Sequence, residues 1–276
     1  MDMEGLCITL SARVPTDADT HFGPDGILYC SRCGTARQTR LELFGKVRTV
    51  NCLCKCMEEA RDREEELRKR REKMLEVDRF RSIGFSDSET RKWTFDTDNG
   101  SNPKITQAMK NYVEHFPEFR RSGKGLLLYG EVGTGKTVMS AMVVNALIDR
   151  SYPCMMTNFN RMVNKVGGMW EEKQDYLDSL TRFALVAIDD LGVERGSEYM
   201  NENVTTIVDS LYRAKVPMII STNLDVKDMR DEKDIRRKRV FDRILERCHP
   251  IHFDGPSQRV QKGRDGYLDM KNILGI

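Results

Sequence analysis

The amino-acid sequence predicts an α/β protein in which a parallel β-sheet is covered by helices on both faces and is preceded by a small cysteine-rich module. Two observations predict it. From about residue 93 onward, short apolar runs alternate with amphipathic helical patterns, an arrangement typical of parallel sheets. The chain also has 276 residues with 39% hydrophobic content, which is enough for one large core and a small additional module.

Five short apolar runs are predicted to be the buried strands: GLLLYG (125–130), PCMMTN (153–158), ALVAIDD (184–190), VPMIIST (216–222) and PIHF (250–253). Between them, the segments TVMSAMVVNALIDR and NVTTIVDSLYRA carry the apolar periodicity of helices that pack on a sheet. Because strands and helices alternate along the chain, neighbouring strands are expected to be parallel.

A charged segment at residues 57–80 is predicted to be an exposed helix. Acidic and basic side chains stand four residues apart in it, an order that supports a helix; the pairs are Glu64 with Arg68, Glu65 with Lys69, and Glu66 with Arg70. Its apolar residues are too sparse for a continuous core stripe, so the helix is either a solvated connector or a surface that docks on a partner. We therefore expect three parts, at residues 1–56, 57–80 and 93–276.

The composition indicates where in the cell the protein is located and which partners it could bind. No apolar run reaches the roughly 18 residues that a bilayer span requires, and the first residues lack the layout of a signal peptide. The sequence therefore predicts a cytoplasmic protein without a membrane partner. The net charge is only +2 although 32% of the residues are charged, so any surface that binds nucleic acid must be local.

Five of the six cysteines within residues 1–56 indicate a metal site. Cys30 and Cys33 form one C-x-x-C pair, and Cys52, Cys54 and Cys56 follow about 20 residues later. In a reducing compartment, two pairs of thiolates at this spacing favour a tetrahedral, structural zinc ion over disulfides, redox cysteines or buried thiols. We predict Cys30, Cys33, Cys54 and Cys56 as the ligands, with Cys52 as the alternate.

The segment YGEVGTGKTVMS, residues 129–140, has the pattern of a phosphate-binding loop. Glycines let the backbone turn tightly after a strand, so that its amides point at an anion and a helix begins at the lysine. Lys136 is expected to neutralise the β- and γ-phosphates of ATP, and the Thr137 hydroxyl to bind Mg²⁺. The predicted nucleotide-binding residues are Gly130, Gly133, Thr134, Gly135, Lys136, Thr137 and Val138.

Two carboxylates end the apolar run in FALVAIDDLGVE. Asp189 at the strand tip suits Mg²⁺, usually through water, and Asp190 could orient or deprotonate the attacking water. An Asp pair at this place can also be a helix cap or a turn, but the phosphate-binding loop upstream favours the catalytic interpretation. Glu194 is the alternative base.

Two later segments supply further candidates. In STNL, Asn223 is predicted to contact the γ-phosphate or the water, Thr222 is the second choice, and a turn is the alternative. In KDIRRKRVFDRILERC, Arg239 and Arg243 lie four apart on one side of a helical pattern. An arginine that reaches the γ-phosphate of a neighbouring subunit makes turnover depend on assembly, whereas the alternative is a solvated basic face.

The segments GLLLYGEVGTGKT, LVAIDDLGVE, IISTNL and RVFDRILERC, in this order, resemble the AAA+ ATPases of the DnaC/DnaI helicase-loader and IstB transposition-helper group over about residues 93–259. The amino-terminal layout, CSRCG followed by CLCKCMEE and a charged helix, is similar to that of phage-borne or prophage-borne loaders. The resemblance implies the strand order 5-1-4-3-2, ATP hydrolysis between adjacent subunits of a homo-oligomer, binding of single-stranded DNA, and delivery of a hexameric replicative helicase during initiation of DNA replication.

The resemblance also implies roles for individual residues. Asn223 matches the first sensor, Arg243 the arginine finger with Arg239 close by, and Arg259 in GPSQR the second sensor. Asp190 stands where many AAA+ proteins have glutamate, although this subfamily commonly has aspartate.

In the family the helix after the second strand faces the pore of the assembly. In that segment Phe159 is expected to stack on a base while Arg161 and Lys165 meet phosphates; packing for Phe159 and a plain surface for the cations are the alternatives. The leading hypothesis is a helicase loader. The competing hypotheses are an IstB-like transposition helper, against which the cysteine module argues, and a regulatory adaptor that binds ATP with little turnover.

Overall fold

The structure is a computed structural model that describes residues 19–168, 172–192 and 198–260, together with residues 267, 270–271 and 273–275. The chain divides into two compact units, residues 1–74 and residues 75–276. We refer to them as the first and the second unit.

The first unit contains two antiparallel strand pairs, with β1 on β2 and β3 on β4. The strands are β1 (Thr20–Phe22), β2 (Leu28–Cys30), β3 (Gln38–Leu43) and β4 (Lys46–Asn51). Phe44 and Gly45 join β3 to β4 with positive φ angles of 53° and 71°, which matches the right-handed twist of a tight hairpin. Among residues of this unit with a described burial, only Leu28, Cys30 and Cys54 are buried. The part of the unit that the structure describes therefore has a very small apolar core.

The charged segment predicted over residues 57–80 lies in one helix, α1 (Lys55–Gly84). Ion pairs join Lys69 to Glu65 at 2.8 Å and Arg70 to Glu66 at 2.6 Å, as the spacing suggests. Arg68 pairs with Glu72 at 3.1 Å rather than with Glu64. These pairs are exposed, so each adds little to the stability of the helix.

The second unit is built on a parallel sheet with the order β6-β7-β8-β5-β9. Its strands are β5 (Gly125–Gly130), β6 (Cys154–Asn158), β7 (Leu185–Leu191), β8 (Met218–Thr222) and β9 (Cys248–Phe253). Numbered from the first of them, the order is 5-1-4-3-2 when counted from the β9 edge, which confirms the expectation. All neighbouring strands pair in parallel.

Helices cover both faces of this sheet. They are α2 (Pro103–Glu114), α3 (Phe116–Ser122), α4 (Lys136–Asp149), α5 (Phe159–Gly168), α6 (Lys173–Leu180), α7 (Glu198–Arg213), α8 (Val226–Arg230) and α9 (Ile235–Arg247). Leu127 of β5 belongs to one apolar cluster, whereas Leu126 and Leu128 belong to another. Because side chains alternate between the faces of a strand, the two clusters are the two sides of one buried sheet.

None of the helices in the described part of the chain combines the length and the apolar composition that crossing a membrane would require.

Candidate functional site

The loop between β5 and α4 has a backbone that requires glycine. Gly130, Gly133 and Gly135 have φ angles of 136°, 84° and 99°, which side chains rarely tolerate. A Cβ atom on Gly130 would overlap the carbonyl of Phe253, and one on Gly133 would overlap the Ser257 hydroxyl. Helix α4 then begins at Lys136, so the loop presents the amino end of a helix, where backbone amides favour an anion.

Lys136 lies over this loop and is buried. Its Nζ donates hydrogen bonds to the carbonyls of Gly130 at 2.8 Å and Glu131 at 2.7 Å. Burial lowers the pKa of Lys136, and the charges of Asp189 and Asp190 oppose that shift. The ammonium group of Lys136 therefore bonds to neutral carbonyls. A bound phosphate at this place would be a negatively charged partner for it.

Asp189 at the end of β7 meets two hydroxyl groups. Its Oδ1 lies 3.2 Å from the Thr137 Oγ1 and accepts a hydrogen bond from the Ser221 Oγ. Carboxylate and hydroxyl oxygens are the hard donors that Mg²⁺ prefers. The residues present thus fit a magnesium ion, with Thr137 and Asp189 as the side chains that would hold it.

Asp190 stands on a β-bulge. The pairing of β7 with β8 shifts between Ile188 and Leu191, and Asp190 has a φ of 61°, in the left-handed region. Partial desolvation and the charge of Asp189 raise the pKa of Asp190, while Arg259 and Lys136 oppose the shift. Bulges re-aim side chains next to active sites, and this one directs Asp190 into the cavity beside Lys136.

The two candidates in STNL have different surroundings. Asn223 is exposed and lines the same cavity as Lys136 and Asp190. The hydroxyl of Thr222 is buried, donates to the carbonyl of Leu191 at 2.7 Å and accepts from the amide of Leu224 at 3.0 Å. Thr222 therefore holds the turn after β8, and its second-choice role as a phosphate contact was wrong.

The cavity beside the loop has a volume of about 210 Å³, and Lys136, Thr137, Asp190, Asn223 and Arg259 contribute to its lining. A second cavity has a volume of about 350 Å³. The residues that line both cavities are Trp93, Gly135, Val138 and Gln258. Polar residues from the segment before α2 line this second cavity, among them Asn99 and Ser101. Together the cavities offer a charged compartment for phosphates and a less charged one for a nucleoside.

Gln258 and Trp93 are site residues that sequence reasoning missed. The Gln258 amide donates to the carbonyl of Gly133 at 2.9 Å, and its side chain donates to the Ser101 Oγ at 2.8 Å. Gln258 thus connects the phosphate-binding loop to the segment before α2. In the sequence, only the position of Gln258 next to Arg259 could have indicated that Gln258 belongs to the site. Nothing in the sequence indicated Trp93, because Trp93 lies far from the phosphate-binding loop in the chain.

The two candidate arginines of α9 differ in their contacts. Arg243 forms an ion pair with Asp209 at 2.9 Å and lies over the Tyr212 ring. Arg239, one turn earlier, is exposed, and its side chain forms no hydrogen bond or ion pair with another described residue. Arg239 is therefore free to reach another molecule, whereas Arg243 is held within its own chain. Glu194, the alternative base, lies outside the described residues.

The predicted DNA-contacting residues are on α5. Phe159 is 0% exposed, so the prediction that it stacks on a base was wrong. It is the first of four apolar residues at helical spacing, with Met162, Val163 and Val166, and all four are buried in the core. Arg161 and Lys165 lie on the exposed side; Arg161 donates to the carbonyl of Ser86 at 2.8 Å, and Lys165 lies 4.4 Å from the centre of the Tyr176 ring.

The first unit brings four thiols together. The Sγ atoms of Cys30, Cys33, Cys54 and Cys56 all lie within 4.8 Å of one another, and Cys56 is 3.6 Å from Cys30 and 3.3 Å from Cys54. Zinc bonds of about 2.3 Å in a tetrahedron place sulfur atoms about 3.8 Å apart, so the cluster fits this ion. The Cys52 Sγ instead donates to the carbonyl of Ala36 at 3.4 Å.

The thiols of this cluster differ in acidity. The Thr35 hydroxyl, 3.1 Å from the Cys33 Sγ, lowers the pKa of Cys33 to about 5. Contact with the Cys54 thiol raises the pKa of Cys56 to about 12. The lowered pKa of Cys33 favours its thiolate, which is the form that binds a metal.

Comparison with curated proteins places relatives in two groups. The replicative helicase loader DnaI of Bacillus subtilis is 25% identical over 167 residues, which cover 56% of this chain and 52% of DnaI. The replicative helicase loader DnaC of Escherichia coli K12 is 26% identical over 139 residues, 49% of this chain and 54% of DnaC. The chain thus spans about half the length of these relatives. A candidate ATP-binding protein in an insertion sequence of Mycobacterium tuberculosis is 23% identical over 72% of this chain and 79% of its own length.

Solved structures share the fold. The crystal structure of the DnaC helicase loader has a TM-score of 0.55 at 20% identity, covering 61% of this chain and 100% of that one. The crystal structure of DnaI has a TM-score of 0.54 at 21% identity, covering 65% and 99%. The second unit therefore has the same fold as these proteins.

The family model described as "IstB-like ATP binding protein" matches residues 52–266, a stretch that contains the phosphate-binding loop, the Asp189 and Asp190 carboxylates, and the arginines of α9. The chain belongs to this family of IstB-like ATP-binding proteins.

Proposed function

We propose that the chain is an ATPase that loads a replicative helicase onto single-stranded DNA. One observation carries the catalytic part: Lys136, Thr137 and Asp189 converge at the carboxyl edge of the sheet, and Asp190 faces the same cavity from its bulge. This is the set of groups that positions a γ-phosphate, a magnesium ion and an attacking water.

The residues have separable tasks in hydrolysis. Lys136 exchanges its carbonyl partners for the β- and γ-phosphates, and the amides of Gly133, Thr134, Gly135 and Val138 surround the phosphate oxygens. Asn223 positions the γ-phosphate or the water, and Asp190 accepts the proton of that water. When bound between Thr137 and Asp189, Mg²⁺ supplies charge neutralisation for the phosphate oxygens.

Turnover is proposed to require a second copy of the chain. The exposed Arg239, or Arg243 after release from Asp209, would reach the γ-phosphate of a neighbouring subunit. Such a head-to-tail contact is heterologous and builds a ring or a spiral. Arg259 lines the cavity from its own chain and would contact the γ-phosphate there as a second sensor.

A hexameric replicative helicase is the proposed partner. The support is the similarity to proteins named replicative helicase loaders. The proposed parts are a zinc-binding module at residues 1–56, a connector helix at 57–80 and an ATPase domain at 93–276, with the first two docking on the helicase. Zinc on Cys30, Cys33, Cys54 and Cys56 would supply the stability that so small an apolar core lacks.

Single-stranded DNA is proposed to contact the exposed side of α5, where Arg161 and Lys165 provide cations for phosphates. A cytoplasmic location agrees with this role. A phage or prophage origin is supported only by the resemblance of the amino-terminal layout to such loaders.

An IstB-like transposition helper is the second candidate. The observation that favours it is coverage, since the insertion-sequence protein aligns over 72% of this chain and the IstB-like model over residues 52–266. A regulatory adaptor with little turnover is the third. Asp190 and the exposed Arg239 argue against it, because a simple binding switch needs neither.

One experiment separates these functions. ATP hydrolysis by the full chain is measured alone, with single-stranded DNA and with duplex DNA. A loader is stimulated by single strands, a transposition helper by duplex, and an adaptor binds ATP without turnover. For a loader, the hexameric helicase should then be retained by the full chain and lost after deletion of residues 1–80.

A further inference from the structure

Ser221 lies between the two carboxylate-bearing residues of the site. It precedes the last residue of β8 and is 2% exposed. Its Oγ accepts a hydrogen bond from the backbone N–H of Asp190 at 3.1 Å and donates one to the Asp189 Oδ1. A single hydroxyl thus uses its donor on the side chain of Asp189 and an acceptor position on the backbone of Asp190.

The bulge in β7 explains why this hydroxyl matters. Ile188 pairs with Ile220 and Leu191 with Thr222, so Asp189 and Asp190 together face Ser221 alone. The extra residue of a bulge loses its ladder partner, and its amide needs another acceptor. Because the left-handed φ of 61° at Asp190 is strained for a residue with a side chain, it persists only where the surroundings hold it.

Ser221 also limits the orientation of the Asp189 carboxylate. Oδ1 is approached by the Thr137 hydroxyl from α4 at 3.2 Å and by the Ser221 hydroxyl from β8. Groups that donate to a metal-binding carboxylate fix its rotamer and tune its affinity for the ion. The residue that holds the bulge therefore also orients the proposed ligand of magnesium.

We infer that Ser221 is a positioning residue, which presents the Asp189 carboxylate to Mg²⁺ and holds the bulge that aims Asp190 at the nucleotide. The inference rests on the proposed function, in which these two aspartates serve ATP hydrolysis. Thr222, the next residue, is the natural control, because its buried hydroxyl bonds to the backbone of Leu191 and Leu224 and to neither aspartate.

The test compares Ser221→Ala, Ser221→Thr and Thr222→Val in the full chain. Binding of a fluorescent ATP analogue is titrated in EDTA and at increasing Mg²⁺, and kcat and the melting temperature are measured for each variant. For Ser221→Ala we expect affinity in EDTA within about twofold of wild type, and a Mg²⁺ requirement for tight binding raised about tenfold. Its kcat should fall as well. Ser221→Thr should restore both, and Thr222→Val should lower only the melting temperature.

Two results would overturn the inference: a wild-type Mg²⁺ requirement in Ser221→Ala, or the same shift in Ser221→Ala and Thr222→Val. The second result would mean that any lost hydroxyl at this edge has the effect. The proposed ATPase activity fails separately, if the wild-type chain binds nucleotide with Mg²⁺ but does not turn it over under any condition. In that case the binding titration still decides the role of Ser221.

Discussion

Arg243 forms an ion pair with Asp209 of the same chain, at 2.9 Å between Nη2 and Oδ1. Asp209 also pairs with Arg213 at 2.8 Å, so Arg243 belongs to a small charge network between α7 and α9. Reaching a neighbouring subunit would require Arg243 to leave this network. We therefore expect Arg239, which is exposed one turn earlier, to be the arginine that acts on the neighbouring nucleotide.

Arg239→Ala and Arg243→Ala should then differ in kind. Arg239→Ala is expected to lower kcat by about 10³-fold or more, with an unchanged melting temperature, because it removes only a charge that acts in the transition state. Arg243→Ala should lower the melting temperature, because it leaves Asp209 with one partner fewer. Mixing Arg239→Ala with Lys136→Ala should restore turnover, since each variant supplies what the other lacks. Full activity of Arg239→Ala would reject this assignment.

Asp190→Asn should separate nucleotide binding from turnover. The substitution keeps the size of the side chain but removes the base, and general base catalysis contributes about 10²–10⁴-fold to rate. We expect kcat to fall by that order while the affinity for ATP with Mg²⁺ is retained, as measured by steady-state hydrolysis and equilibrium binding. Asp178→Asn on the exposed side of α6 is the matched control. Undiminished hydrolysis by Asp190→Asn would remove Asp190 from the mechanism.

Cys33→Ser and Cys52→Ser should have opposite outcomes, because only Cys33 lies within the thiol cluster. The wild-type chain and Cys52→Ser should each hold about one zinc ion per chain, whereas Cys33→Ser should lose it. Metal content by mass spectrometry gives the stoichiometry. Removal of zinc by a chelator should unfold the first unit, visible as a loss of strand signal in circular dichroism, because its apolar core is so small. Zinc retained in Cys33→Ser would contradict the assigned ligands.

The strands of the sheet were predictable because they are short apolar runs, most of whose residues are buried. GLLLYG is β5 without any change of bounds, and PIHF differs from β9 only in starting two residues late. Residues at or shortly after the carboxyl ends of these runs, such as Asp189 and Lys136, could be placed for a related reason, since the carboxyl ends of parallel strands share one edge.

Contacts between distant parts of the chain were not predictable. The Asp190 amide meets Ser221 only because β7 bulges, and a bulge leaves no mark in apolar periodicity. Gln258 meets Ser101 across a sequence separation of 157 residues. The prediction that Phe159 contacts DNA rested on the family resemblance, in which this helix faces the pore, and on an aromatic beside cations. Its spacing with Met162 and Val166 already matched a buried face. Periodicity was the stronger signal there.

Asp234 caps the helix that carries both arginines. Its Oδ1 accepts hydrogen bonds from the amides of Arg236 at 2.8 Å and Arg237 at 3.1 Å. These two bonds lower the pKa of Asp234, and the bond from Arg237 has the larger effect. A carboxyl with a depressed folded pKa stabilises the fold above its unfolded pKa, and that stability is lost as the pH falls through the folded value.

We therefore expect Asp234→Ala to lower the melting temperature by about 2–4 °C at pH 7, and Asp234→Asn, which also caps, by less. The difference between wild type and Asp234→Ala should disappear as the pH falls below the ordinary value of 3.8. A difference that persists unchanged at about pH 3 would show that the carboxylate cap is not its cause.

The residues of α5 should divide between stability and DNA binding according to their burial. Phe159 is fully buried, so Phe159→Ala should cost about 3–5 kcal/mol of unfolding free energy and should not be informative about DNA. The exposed pair is the informative one. Arg161→Ala with Lys165→Ala removes two cations without opening a cavity.

The double variant of Arg161 and Lys165 should bind single-stranded DNA more weakly and with less dependence on salt. Each phosphate contact contributes about 0.7 to the slope of log K against log salt for single strands, so losing two lowers the slope by about 1.4. Fluorescence anisotropy at several salt concentrations measures it. The control is the double variant Lys104→Ala with Lys110→Ala on α2, which also removes two positive charges. The control is matched in one more respect, because Lys110 lies over the Phe95 ring as Lys165 lies over the Tyr176 ring. Equal slopes in the two double variants would place the DNA elsewhere, because charge alone would then explain the loss.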